Sequence, residues 1–463
     1  GGAVDLALAR VDAVLGPRLE SLALRAVTGR LAGSLTQDSF QFSTTNLQFD
    51  TADGKRWPGG NLSFQRTPAK GRMAERGVFR ADRLDLAALA LIANRLPLDD
   101  ATHRALAIYA LRGLVERIDA SWQGPLAAPD EYTARGRVSA LSIASQAGAP
   151  PAAAATAPRG TPVAAPVPVG TPGVRGATVV FEATQAGGTA ELGIAKGALE
   201  LPGVFEEPVV PLDHLSAKLA WKLDGPKVQL AVTGVRFGNA DAQGEARADW
   251  RTSDPASSPS RALYPGVLDL QGQLTQANGT RVFRYLPLVI PKATRDYVRD
   301  SVVKGSASTV DFKVRGDLWD MPFMDPRQGD FRIASRVADV TYAFAPPPPG
   351  ATQVAGGWPA LTGLSGELVF ERAGMQVRGA RGRIVGAPGI EVSRAEAEIA
   401  DMTHATALLK VDAQAKGPLA ELLKVAAPIA GGAVGEAASR ARATGNADYK
   451  LHLELPLEAM DKV

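Results

Sequence analysis

Lys218-Leu219-Ala220-Trp221-Lys222-Leu223-Asp224 decides how this chain folds. Leu219, Trp221 and Leu223 share one parity, Lys218, Lys222 and Asp224 the other, and Ala220 is the one small apolar residue among the latter. Successive side chains of an extended strand point to opposite faces, so this stretch builds a strand with one apolar and one solvated face. The pattern recurs on both sides. Val228, Leu230 and Val232 repeat it, as do Leu268, Leu270 and Leu274 around Asp269, Gln271 and Gln273. Val310, Phe312 and Val314 alternate with Asp311, Lys313 and Arg315. Leu409, Val411 and Ala413 alternate with Lys410, Asp412 and Gln414, and Tyr449, Leu451, Leu453 and Leu455 with Lys450, His452 and Glu454. One-sided strands belong to antiparallel sheets, because strands buried on both faces read as continuous apolar runs. Turn chemistry punctuates the runs at Asp53-Gly54, Asp224-Gly225-Pro226, Asn278-Gly279 and Gly417-Pro418, which gives roughly 18 to 22 strands.

Three stretches break the alternation with helical spacing: Leu84–Leu98, Val282–Lys304 and Leu419–Ala427. They read as crossovers or lids. Asp99-Asp100 reads as the start, or N-cap, of a segment around His103. Gln146–Gly176 is Ala, Pro, Gly and Thr with almost no bulky apolar side chain. It cannot bury enough surface to offset its ordering entropy, and it reads as a flexible, dispensable linker or loop insertion between a first β segment, 1–145, and a second, 177–463. Pro346–Gly350 is a shorter break of the same kind. The prediction is a mostly β fold: an elongated, curled antiparallel sheet, a β-taco or repeating β-groove, with a few short crossover helices. An array of β-sandwiches with sealed cores reads equally from alternation alone.

Composition excludes several functions. The 463 residues carry 51 basic and 48 acidic side chains, too even a balance to attract nucleic acid. With no cysteine there is no disulfide framework, thiolate metal site or cysteine nucleophile. The longest apolar runs, Leu84–Leu98 and Leu419–Val434, are interrupted and fall short of the ~20 residues of a membrane helix. The start at Gly1-Gly2-Ala3 and the end just past Leu455-Pro456-Leu457 read as cuts through a longer protein. His103, His214, His404 and His452 are scattered, and no hydrolase, phosphate-loop or dinucleotide motif is present. Asp317 and Asp320, Asp50 and Asp53, and Asn239, Asp241 and Glu245 are the acidic groupings. Each reads more readily as a turn or solvated loop than as a catalytic pair or calcium loop. The expectation is a non-enzyme with no cofactor and no metal. Trp57-Pro58 and Trp358-Pro359 each precede a strand, Leu62–Phe64 and Leu368–Phe370, and read as strand-entry devices and as traces of an internal repeat.

Several motifs carry a family resemblance. Tyr285-Leu286-Pro287, Gly316-Asp317-Leu318-Trp319-Asp320-Met321-Pro322-Phe323, Gly329-Asp330-Phe331-Arg332-Ile333, Trp358-Pro359-Ala360-Leu361 and Gly366-Glu367-Leu368-Val369-Phe370 stand in this order. With Gly382–Gly386 and Tyr449–Leu457 they resemble the YhdP-type branch of the AsmA-like proteins. Trp57-Pro58 and Leu84-Asp85-Leu86 before Leu96-Pro97-Leu98 are similar to the preceding part of that family. The resemblance implies a bridge-like lipid-transfer protein of the Gram-negative envelope, periplasmic, held in the inner membrane by an N-terminal anchor that this chain lacks. Its ligand would be phospholipid, and it brings no catalytic residues. On that reading the apolar strand positions named above line a lipid groove: Leu219, Trp221, Leu223, Val228, Leu230, Val232, Leu268, Leu270, Leu274, Val310, Phe312, Val314, Leu409, Val411, Tyr449, Leu451 and Leu453.

Overall fold

The structure is a computed structural model. It describes residues 1–17, 19–96, 100–148, 168–346, 358–404, 406–430 and 432–457. They form a mostly β, antiparallel structure with 21 strands and a few short helices, as the alternation requires. The chain divides into two units, Gly1–Phe237 and Gly238–Val463.

Unit 1 begins with β1 (Gly2–Ala13), β2 (Leu22–Leu35), β3 (Phe40–Thr51), the two-residue β4 (Arg56–Trp57), β5 (Asn61–Thr67) and β6 (Arg76–Asp85). It continues with β7 (Arg112–Gln123), β8 (Glu131–Ile143), β9 (Gly173–Thr184), β10 (Gly187–Glu200), β11 (Val209–Asp224) and β12 (Lys227–Gly238). Strands β1 to β11 form an antiparallel meander in which each strand pairs with the next, except that β3 pairs with both β4 and β5. Between β6 and β7 lie α1 (Leu86–Ile92), a 3-10 turn (Ala93–Arg95) and α2 (Asp100–Tyr109). The Asp85 carboxylate accepts from the Ala88 N–H at 2.9 Å, which starts α1. The helix seats Ala88 and Ile92 against Trp57. Helix therefore begins at Leu86 and not at Leu84, because Leu84 and Asp85 pair with Val115 and Leu114 in the sheet. Asp99 and 97–98 lie outside the described residues.

The Ala/Pro/Gly-rich stretch falls between two strands that pair with each other, β8 and β9. Residues 149–167 lie outside the described residues. The flanks belong to the fold: Gln146 and Thr171 exchange backbone hydrogen bonds at 3.0 and 2.9 Å, and Gly173–Gly176 open β9.

Unit 2 holds β13 (Ala242–Arg251), β14 (Val267–Asn278), β15 (Val302–Asp317), β16 (Gly329–Tyr342) and β17 (Leu361–Glu371). It ends with β18 (Gly374–Ile384), β19 (Ala387–Ile399), β20 (Leu408–Pro418) and β21 (Asn446–Pro456), again a meander of nearest neighbours. The helical stretch predicted over Val282–Lys304 resolves into a 3-10 turn (Gly279–Tyr285), α3 (Lys292–Ser301) and the start of β15. The predicted Leu419–Ala427 helix is α4 (Leu419–Ala430), followed by α5 (Gly432–Arg440), which alternation did not announce. In a meander alternate connections share a rim. In unit 2 the α3 and α4–α5 insertions and the β16–β17 connection therefore lie on one rim. The opposite rim carries the connections 252–266, 318–328, 372–373 and 400–407.

One polar pair gives the β20–β21 ladder a pH dependence. His452 lies opposite Asp412, with its Nδ1 2.8 Å from the carboxylate, and this contact raises the imidazole pKa. A raised folded-state value stabilises below the ordinary value of 6.5 and is lost as pH rises through the shifted value. The melting temperature of the protein minus that of His452→Gln should be positive at pH 5.5 and shrink towards zero by pH 8, followed by thermal scans of both. A pH-independent difference would rule out the charged pair.

Candidate functional site

Strand register turns the alternation into continuous apolar rows. In unit 2 one row runs Ala246, Gly272, Phe312, Ile333, Phe370, Met375, Ile399, Leu409 and Leu455, each directly opposite the next. The neighbouring row runs Gly244, Leu274, Val310, Ser335, Leu368, Val377, Ala397, Val411 and Leu453, with one hydroxyl among its eight side chains. A third begins Ala248, Leu270, Val314 and Phe331. Unit 1 has its own: Gly33, Phe42, Phe64, Phe79, Ala120, Ala134, Ala183, Gly188 and Trp221. Beside it lie Leu62, Ala81, Ile118, Gly136, Phe181, Ala190 and Leu219. At ~4.8 Å per strand, eight spacings give a row of about 38 Å. A single acyl chain spans about half of the ~30 Å hydrocarbon core of a bilayer, so each nine-residue row exceeds two chains end to end.

The reverse face is mostly polar and charged, apart from the buried pair Ala334 and Val369. Gln273 donates to Asp311 at 2.7 Å, Gln376 to Glu398 at 3.2 Å, and Lys410 pairs with Glu454 at 3.7 Å. The two faces are thus chemically opposite, which lets water solvate one and leaves the other for apolar matter.

What covers the apolar face separates an open sheet from a sandwich. In a sandwich, core clusters join strands of two sheets. Here Leu22, Leu24 and Val27 pack with Leu6, Val11, Leu47 and Phe49, all from β1, β2 and β3. Ala177, Ile194 and Leu212 pack with side chains of the consecutive strands β8 to β12. Ile399, Ala407 and Leu409 pack with β18 to β21 side chains and with Phe344 and Leu457. Most of these contacts join neighbours along one ladder, as in a single bent sheet, and Phe344 reaches its cluster from the β16–β17 connection. Many floor side chains stay accessible: Val4 is 53% exposed, Leu8 46% and Leu451 53%. A cavity of about 430 Å³ opens on Val4, Leu31, Gly33 and Phe42.

A feature hidden from sequence reading levels this face. Glycines stand directly opposite aromatic residues, and the rings lie over them. Trp122 covers Gly77, Phe181 covers Gly136, Trp221 covers Gly188 and Phe312 covers Gly272. A Cβ built on any of the four would meet ring atoms of its partner. A bare glycine leaves a pit in a sheet surface, and a flat ring fills it.

Of the sequence-predicted positions, Leu270, Leu274, Val310, Phe312, Val314, Leu409, Val411 and Leu453 share the unit 2 rows, Leu268 lies in a further row between Trp250 and Gly316, and Leu219 and Trp221 share the rows of unit 1. Val228, Leu230 and Val232 are half-buried on β12, and Tyr449 lies opposite Ala415 with its hydroxyl on the Gly417 carbonyl at 3.0 Å. Leu223 is exposed at the end of β11.

The acidic groupings are structural. Asp317 accepts from the Ser258 and Ser253 hydroxyls at 2.7 and 2.8 Å and from the Trp319 N–H. Burial opposes its ionisation, yet these donors hold its pKa below the usual range. Asp53 receives Thr51 and Arg95 within a hairpin turn, which lowers its pKa. Asp241 takes Arg284 at 2.6 Å and the Tyr285 hydroxyl at 3.0 Å. Among the described residues no three His, Cys, Asp or Glu side chains group to hold a metal, and no helix is long and apolar enough to cross a membrane. The Trp-Pro pairs close strand ends: Trp57 stacks on Phe49 at 5.9 Å, and Trp358 tilts against Phe344 at 5.2 Å.

A one-faced antiparallel sheet with long, nearly all-apolar rows defines an open-faced β protein. The match to known families is more specific: residues 1–463 match the family described as YhdP protein, and the chain belongs to it. That family is one of bridge-like lipid transport in the Gram-negative envelope. Neither a curated protein nor a solved structure matches the chain.

Proposed function

We propose that this chain is a periplasmic section of a lipid-transfer bridge, and that its apolar rows shelter the acyl chains of phospholipid moving between the inner and outer membranes. The observation that carries this is the apolar row from Gly272 to Leu455, covered by no second sheet among the described residues, with mostly polar and charged side chains on the reverse face. An acyl chain in water loses ~0.8 kcal/mol per methylene, so about 16 methylenes present a barrier of ~13 kcal/mol to free transit. A continuous floor removes most of it, while the headgroup stays in water and needs no polar pocket. Family membership supports the same reading. The test is the lipid inventory of the purified protein by mass spectrometry. Co-purifying phospholipid is expected, displaced in proportion by a competing detergent. Protein free of lipid, and unable to take any up from vesicles, would sink the proposal.

A further inference from the structure

The longest connection of the rim opposite α3 to α5 in unit 2, 252–266, and its neighbour, 318–328, form one clasped element. Asp317 holds them together: its carboxylate accepts from Ser253 and Ser258 of the first loop and caps Trp319 of the second. The Leu318 N–H donates to the Gly266 carbonyl at 2.9 Å. Phe323 is fully buried, with its ring over Gly316 and Gly329, which continue the floor row of Trp250 and Leu268. The second loop thus folds back onto the apolar side of the sheet. Its outer side is unusually apolar for a built loop. Trp319 is 60% exposed, Met324 55% and Met321 47%, and Tyr264 of the first loop is 59% exposed. Tyr264 in turn stacks on the floor residue Trp250, with centroids 6.0 Å apart.

An exposed apolar cluster on an ordered scaffold marks an interaction site. Its occupant follows from what it joins. The Tyr264–Trp250 stack and the Phe323 ring over Gly316 and Gly329 each tie one of the two loops to the floor. Arg327 is bound to Asp325 at 2.6 Å, so the loop's own ion pair offers little to a charged partner. Methionine adapts to a chain of changing shape, and Trp and Tyr suit the boundary between apolar matter and water. We propose that this clasped rim is a lateral port through which a phospholipid acyl chain enters or leaves the unit 2 floor, a proposal that rests on the lipid-bridge reading.

The test places the photoreactive residue p-benzoylphenylalanine in the full-length protein in cells, in separate variants, at Trp319, at the floor position Phe312 and at the charged-face position Asp311. After irradiation the adducts are identified by mass spectrometry. Phospholipid adducts are expected at Trp319 and Phe312, each exceeding Asp311 by at least about tenfold, the factor that ~1.4 kcal/mol of preferential residence gives. Lipid at Phe312 without lipid at Trp319 overturns the port and leaves the floor reading standing. Protein adducts in place of lipid at Trp319 overturn the port in favour of a docking surface. No lipid at either position overturns both readings.

Discussion

Leu270→Asp should leave the protein folded and slow lipid passage by roughly a hundredfold. Leu270 lies between Ala248 and Val314 in a floor row and is only half-buried. A carboxylate there keeps water while the floor is empty, so the variant should melt within a few degrees of the parent. When an acyl chain passes, either the carboxylate loses its hydration or the chain meets water. At ~3 kcal/mol for that desolvation and ~1.4 kcal/mol per decade of rate, the slowing is about a hundredfold. Phe312→Asp is a poorer probe, because it also uncovers Gly272 and would confound stability with transport. The measurements are thermal unfolding of the purified variant and lipid transfer by the full-length protein. Normal transfer by a folded variant would remove the floor from the mechanism. An unfolded variant would place Leu270 in a sealed core.

The second large effect is on stability. Gly77→Val should cost unit 1 about 3 kcal/mol, the upper range for overpacking, or roughly 6–12 °C in melting temperature. A Cβ on Gly77 falls inside the Trp122 ring, and Trp122 is itself buried and tilted against Phe64 at 5.6 Å. The ring must leave, and the Arg66–Glu75 ion pair at 2.7 Å bounds the same rim. Gly193→Ala is the control: it lies on β10 with open space where a Cβ would go and should be nearly neutral. Gly77→Ala combined with Trp122→Leu should recover part of the loss, since the two sites are in contact and their effects are not additive. If Gly77→Val melts with the Gly193→Ala control, the ring is not held by the glycine.

These two predictions use different kinds of information. Leu270 and its neighbours were legible in the amino-acid pattern, because a period of two needs only the chain itself. The glycine–aromatic pairs were not. Gly77 and Trp122 are far apart in sequence, and only the β6–β7 register places one over the other. Local pattern failed at the joints for a related reason. Leu84 and Asp85 look helical beside Leu86, but strand pairing claims them. Val302–Lys304 are likewise drawn into β15. Gly173–Gly176 follow directly on the Pro/Ala tract and still enter β9, because β8 offers an edge to pair with. The rim cluster was visible as the Leu318–Phe323 motif, yet its exposure depends on Asp317 binding serines of another loop.

If lipid moves as proposed, the sameness of the floor has a kinetic meaning. Along the unit 2 row from Phe312 to Leu455 each step meets another apolar side chain of similar reach. A chain that advances by one strand spacing trades each methylene's contacts for nearly equivalent ones, so what it gains and loses almost cancels. The corrugation of such a track is then no more than the worth of about one methylene, ~0.8 kcal/mol, close to thermal energy. Pits at bare glycines would trap a terminal methyl and act as friction, and the rings laid over them keep the track smooth. Tight binding at any one point would defeat such a surface. Its occupant should be held everywhere weakly and nowhere for long, so that drift is set by supply and removal at the two ends.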